Sequence, residues 1–178
     1  EFLAASPFRK IPAMEDGDFT LCDSTAIVTY LDALQPEPSM TPGDAKAKAR
    51  AIWFEEYADT ILVMSGGKVL FNRFVGPRLM GLAGNEEVAD QGVKELGPVL
   101  DYLESQCGDG WLAGDDFSIG DIAVACGLRS MGYIGMEPNP DTHPRAAAWY
   151  ARVTARPSWQ QVAALEDKVV GRALAPTA

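Results

Sequence analysis

Hydrophobic spacing splits the chain into two textures. The first spans residues 1 to 36, where every element is short. Glu1-Phe2-Leu3-Ala4-Ala5 reads as the end of a helix, and Ser6-Pro7 stops it, because the residue before a proline is driven out of the α region. Lys10 to Glu15 predicts a strand. Asp16-Gly17 is a hairpin turn signal. Asp18 to Cys22 then alternates polar and apolar, with Phe19 and Leu21 on one face, which predicts a second, antiparallel strand. At Asp23-Ser24 the period lengthens. Ala26, Ile27, Tyr30, Leu31 and Leu34 recur at helical spacing, with Ser24 expected as the N-cap.

Gln35 to Gly43 holds three prolines and a glycine, a linker composition. It divides the chain into a first unit, 1–36, a linker, 37–43, and a second unit, 44–178. From Asp44 onward every strong pattern is helical. Ile52, Trp53, Tyr57, Ile61 and Met64 form one stripe, on a helix that Gly66-Gly67 is expected to kink or end. Val88, Leu96, Val99, Leu100 and Leu103 form a second stripe, followed by a Cys107-Gly108-Asp109-Gly110 loop. Phe117 to Met131 is apolar nearly all round, so it predicts a central, buried helix. Pro144 opens a fourth helix through Arg156 and Pro157 opens a fifth. Arg172 to Ala178 shows no periodicity and reads as a loose tail.

Composition narrows the function classes. The 178 residues are 47% hydrophobic and 22% charged, which is globular rather than disordered. The net charge of −10 repels phosphate backbones and anionic membrane surfaces, so neither nucleic acid nor membrane is an expected partner. No uncharged apolar run approaches the roughly 20 residues that span a bilayer. Cys22, Cys107 and Cys126 are odd in number and widely spaced. With one histidine, His143, they compose no Cys/His metal site, so no metal is expected and reduced thiols in the cytoplasm are the plain reading. His143, just before Pro144, reads as structural. Trp149 and Trp159 read as core or interface residues.

Ser118-Ile119-Gly120-Asp121 is a capping box with Asp in the fourth place, and Phe117 and Ile122 stand at the hydrophobic-staple positions. Such a box contributes on the order of 1 kcal/mol to a helix start and carries no chemistry.

The ordered set Ser6-Pro7-Phe8-Arg9-Lys10-Ile11-Pro12-Ala13-Met14, Asp16-Gly17-Asp18, Leu21-Cys22-Asp23-Ser24-Thr25-Ala26-Ile27 and Tyr30-Leu31 resembles the second half of the thioredoxin-like domain of a cytosolic glutathione S-transferase. The box at Ser118 and Arg156-Pro157-Ser158 are similar to the family's helical domain. The fold class implied is α+β: a partial thioredoxin-like domain of two strands and a helix, then an all-α C-terminal domain. The implied reaction is attack of the glutathione thiolate on a small hydrophobic electrophile. Glutathione is the co-substrate, the enzyme is a cytoplasmic homodimer, and detoxification is the implied role.

The resemblance also assigns residues. It implies a cis Ile11-Pro12 bond whose neighbouring backbone groups pair with the cysteinyl part of glutathione like an added strand. By composition alone, Pro12 is a trans proline opening an edge strand. It implies that Ser24 and the helix start hold the γ-glutamyl carboxylate, with Asp23 taking the ammonium. The other reading of Ser24 is a plain N-cap. Lys10 meets the glycyl carboxylate, or is a solvated surface lysine. Trp53, Tyr57 and Met64 are candidates for the electrophile wall, or else core packing. Asp59 is a candidate to reach glutathione across the dimer interface.

In the family, the residue that activates the thiol is a Tyr, Ser or Cys near the start of the first domain. By the resemblance this chain begins after that point, so it contains no expected catalytic residue, and Cys22 reads as packing. Half of such a domain would leave an open sheet edge, which favours an incomplete record of a longer protein. Two alternatives stay open: a non-catalytic interaction module on the same fold, and another glutathione-dependent enzyme, such as an isomerase, dehalogenase, lyase or thiol reductase.

Overall fold

A computed structural model describes the backbone of residues 2–174 and the side chains of residues 2–171. Helix α1 (Phe2–Ala5) leads into strands β1 (Ala13–Asp16) and β2 (Phe19–Cys22). The strands pair antiparallel, Ala13 with Cys22 through Asp16 with Phe19. The connection is therefore Gly17-Asp18, one residue later than Asp16-Gly17 suggests. Gly17 stands at φ +62°, where a side chain would strain the backbone. Helix α2 (Ser24–Leu34) clamps the hairpin. Tyr30 donates its hydroxyl to Asp16 Oδ2 at 2.6 Å, and its ring lies 5.1 Å from that of Phe19.

Asp44 caps α3 (Ala45–Tyr57), its Oδ1 accepting from the amides of Lys46 and Ala47 at 3.0 Å each. A wide π turn, Ala58–Leu62, continues into α4 (Val63–Leu70), and a second π segment, Phe71–Met80, follows. Gly66-Gly67 neither kinks nor ends this run. Gly66 is where α4 meets α6 closely: a Cβ there would stand 2.3 Å from the sulfur of Met131. The remaining helices are α5 (Glu86–Gln106), α6 (Ile119–Gly132), α7 (Pro144–Thr154) and α8 (Pro157–Leu174). Residues 172–174, read as tail from the sequence, continue α8; residues 175–178 and Glu1 lie outside the described residues.

The core sits where α3, α5, α6 and α7 meet, around Phe54, Leu62, Leu96, Leu128 and Trp149. Of the stripe read on α3, only Tyr57 is fully buried; Trp53, Ile61 and Met64 are exposed. The buried face instead carries Ala51, Phe54, Ala58 and Leu62. Small alanines let a neighbouring helix approach, and a π turn shifts the face presented beyond it. On α5 the prediction succeeds at Leu96, Leu100 and Leu103, while Val88 is exposed. Helix α6 is central and buried, as its composition requires.

The capping box proves larger than a cap. Asp121, with no exposed surface, takes Ser118 N–H at 3.0 Å and Ser118 Oγ at 3.1 Å on one oxygen. Its other oxygen takes Leu112 N–H at 2.9 Å and Trp149 Nε1 at 2.8 Å. One carboxylate thus joins the start of α6, the preceding loop and α7. His143, just before α7, is held by Asp101 Oδ1 at 3.1 Å, the structural role expected of it.

Candidate functional site

A cavity of about 280 Å³ opens beside the hairpin, and its walls include Lys10, Ile11, Pro12, Asp23, Ser24 and Asp59. Every residue the sequence assigned to a tripeptide is therefore brought to one place. Local structure explains how. Ser6 is fully buried; its hydroxyl donates to the Lys10 carbonyl at 2.6 Å and accepts the Lys10 amide at 2.9 Å. That reciprocal pair closes the loop ahead of Lys10, a role the sequence did not reveal. The Ile11-Pro12 bond is cis. Ile11 is 84% exposed, and among the described residues its N–H and C=O have no partner. The Pro12 carbonyl accepts the Asp23 amide at 3.4 Å, tying the two walls of the cavity together.

Asp23, not Ser24, is the N-cap of α2: its Oδ1 accepts the Ala26 amide at 3.0 Å. Its backbone, at φ +93° and ψ 131°, is one that residues with a side chain rarely adopt, and it gives the chain its sharp entry into the helix. The second carboxylate oxygen of Asp23 remains available. Ser24 becomes the first helical residue. Among the described residues its hydroxyl has no partner, and neither do the amides of Ser24 and Thr25. Two free amides, a hydroxyl and the positive end of the helix dipole favour an anion at this corner. Asp59 comes from the π turn after α3 and faces the cavity of its own chain, so no second subunit is needed to bring it there. Phe8 and Cys22 complete the wall, so Cys22 borders the cavity as well as packing.

A broader recess adjoins the cavity and shares Asp23 and Asp59 with it. Its walls also hold Glu55 and Glu56, making it acidic. Glu55 is 5% exposed and accepts a hydrogen bond from Thr25 Oγ1. Burial pushes its carboxyl above the ordinary glutamate value of 4.5, and Asp59, Glu56 and Asp23 push the same way, against the Thr25 bond. Because the folded value lies above the unfolded one, this group favours folding most below about 4.5, and that contribution is lost as pH rises through the folded value. Glu55→Gln keeps the acceptor for Thr25 and removes the charge. Its urea midpoint is expected to match that of the parent at pH 4 and to exceed it at pH 7. A variant midpoint at or below the parent at pH 7 would contradict the account.

The three electrophile-wall candidates line neither of these spaces. Tyr57 is 1% exposed and donates its hydroxyl to the Val99 carbonyl at 2.8 Å, so it belongs to the α3–α5 seam. Trp53 donates Nε1 to the Tyr102 hydroxyl at 2.8 Å on the same seam. Met64 lies on the surface beyond the π turn. Aromatic spacing on α3 reported packing. Burial pushes the Cys107 thiol up to about 12, which leaves it inert near neutral pH. The three cysteines are unpaired in the structure. Among the described residues no cluster of three or more His, Cys, Asp or Glu could hold a metal ion, and no helix is long and apolar enough to cross a membrane.

A cis-proline hairpin beside a helix start, joined to a helical bundle, places the chain among proteins with a thioredoxin-like unit ahead of a helical one. The family models for the N-terminal and C-terminal domains of glutathione S-transferases match residues 1–39 and 62–157. The chain belongs to the glutathione S-transferase family, a family of transferases. A probable glutathione S-transferase GSTF2 of Oryza sativa subsp. japonica is 30% identical over 171 residues, 93% of this chain and 77% of that protein. Among solved structures, a glutathione S-transferase of Rhodospirillum rubrum F11 superposes with a TM-score of 0.78 at 30% identity, covering 89% of this chain and 72% of the other. Glutathione S-transferase-I bound with lactoylglutathione gives 0.79 at 27% identity, covering 92% and 78%. The fold is thus that of the family, with a partial thioredoxin-like unit ahead of the helical one.

Proposed function

We propose that this protein is a glutathione transferase that joins the tripeptide thiolate to a small hydrophobic electrophile. The observation that carries the reading is the single cavity holding Lys10, Ile11, Pro12, Asp23, Ser24 and Asp59. In it the Ser24 hydroxyl and the first amides of α2 receive the γ-glutamyl carboxylate. Asp23, with Asp59 behind it, receives the ammonium. The N–H and C=O of Ile11 pair with the cysteinyl backbone, and Lys10 meets the glycyl carboxylate. A solved relative bound with lactoylglutathione, a thioester of glutathione, supports a glutathione derivative as occupant.

These groups act by orientation. They fix the tripeptide so that its sulfur faces the electrophile, which converts an encounter of two solutes into a reaction within one complex. The thiolate is the nucleophile. With an aryl halide, a carbon–sulfur bond forms and the halide leaves with the electrons of the carbon–halogen bond. The working form is a homodimer in the cytoplasm, with residues 1–36 and 44–178 as its two units.

The protein is expected to be retained on immobilised glutathione and released by free glutathione. Ser24→Ala should weaken binding by about tenfold, the loss of one hydrogen bond to a charged group. Failure of the parent protein to bind would overturn the reading as a whole. Unchanged binding by the variant would overturn the placement of the glutamyl end.

A further inference from the structure

The hairpin part of the chain meets the helical bundle along α2, and no residue of α2 is fully buried. Apolar contact there is thin: Val28, half-buried, packs against the cluster of Ala51, Ala113 and Ile119. A hydrogen bond is directional where apolar contact is not, so the polar ties set how α2 is tilted. They stand at its two ends. Near the last turn, Asp32 Oδ1 accepts the Met40 amide at 2.9 Å, and the Met40 carbonyl accepts the Ile119 amide at 2.8 Å. That end is therefore tied through the linker. In the first turn, Thr25 donates its hydroxyl to Glu55 of α3. Among the described residues no other hydrogen bond and no ion pair joins residues 2–36 directly to residues 44–171.

The place of this bond matters more than its number. Thr25 directly follows Asp23 and Ser24, which line the hairpin cavity. Its amide is free for an anion, while its hydroxyl is committed to Glu55. On the other side of the bond, Asp59 lies one turn beyond Glu55 and lines the same cavity. The bond thus sets the gap between Asp23 and Asp59. With that gap fixed, two carboxylates from separate parts of the chain can meet one ammonium group.

We propose that Glu55 is a positioning residue for glutathione: through Thr25 it holds the start of α2 at the distance from Asp59 that the γ-glutamyl end of the tripeptide needs. Glu55 lines the adjoining recess and not the cavity, so it acts through Thr25 and not on the tripeptide itself. The role rests on the reading of the cavity given above. Glu55 serves here as an acceptor and not as a charge, so its amide counterpart should serve as well.

Calorimetric titration of the chain with glutathione at pH 7 tests this. Glu55→Leu and Thr25→Val remove the bond from either side, and each should weaken binding by about fivefold, the worth of one hydrogen bond. The variant carrying both changes should bind no more weakly than either alone, because one bond is lost once. Glu55→Gln keeps an acceptor for Thr25, removes the charge, and should bind within about twofold of the parent. Affinity unchanged in both single variants, a double variant that shows the two losses in full, or a glutamine variant as weak as the leucine one would each overturn the proposal.

A second readout needs no ligand. Deuterium uptake by peptides covering residues 22–34 should rise in Glu55→Leu and Thr25→Val and stay at the parent level in Glu55→Gln, with the peptides of α6 unchanged throughout. Uptake at the parent level in the first two variants would overturn the role of the bond. Should the parent chain itself fail to bind glutathione, the reading of the cavity falls, and the exchange result alone then decides whether Glu55 holds α2.

Discussion

Asp121→Ala is expected to lower the unfolding free energy by about 4 kcal/mol. A helix cap alone is worth only about 1 kcal/mol, so the size of the loss separates a cap from a junction. The junction is on the structure: one buried carboxylate accepts from Ser118, Leu112 and Trp149. Truncation leaves three buried N–H donors unpaired, each costing about 1–3 kcal/mol before relaxation. For a chain of this size that corresponds to a melting temperature lower by about 10 °C. Asp121→Asn should fall between the two, because its amide group brings a donor to where Ser118 already donates. Urea or thermal unfolding measures both. A loss near 1 kcal/mol for the alanine variant would reduce Asp121 to an ordinary cap.

The second large effect concerns binding. Asp23→Asn should weaken glutathione binding by roughly tenfold to a hundredfold while leaving the fold intact. Asparagine has the size and shape of aspartate and keeps a side-chain oxygen for the Ala26 amide, so the entry to α2 survives. What disappears is the negative charge that the proposed binding mode sets against the ammonium of the tripeptide. Asp23→Ala removes charge and cap together, and should also cost about 1 kcal/mol of stability. Calorimetric titration with glutathione, paired with unfolding curves, separates the two variants. Affinity for the asparagine variant within about twofold of the parent would mean that Asp23 does not hold the ammonium.

The first unit was legible because its signals are local. Pro12, the Asp-Gly pair and the change of period at Asp23 each act within a few residues, whereas the cavity residues were assigned by the family resemblance. What escaped was set by geometry. Ser24 is the better cap by composition, but the backbone turns at Asp23, and the cap belongs to the residue before that turn. Along α3 and the π turn and α4 that continue it, hydrophobicity pointed at Trp53 and Met64, whereas closeness of helices selected Ala51 and Ala58. Asp59 was singled out for a contact across a dimer interface, and in the structure it lines the hairpin cavity of its own chain.

The wide turn at Ala58–Leu62 has a consequence for how this scaffold tolerates change. Each added or deleted residue in a helix rotates all that follows by about 100°. The loop of five-residue hydrogen bonding absorbs that rotation locally, so Asp59 can face the hairpin while Leu62, Ser65, Gly66 and Val69 still face the bundle. Deleting Thr60 would let the ladder close as an ordinary helix and would swing one of those two faces out of register. Length variation between relatives should therefore collect in the loops on either side and avoid this segment.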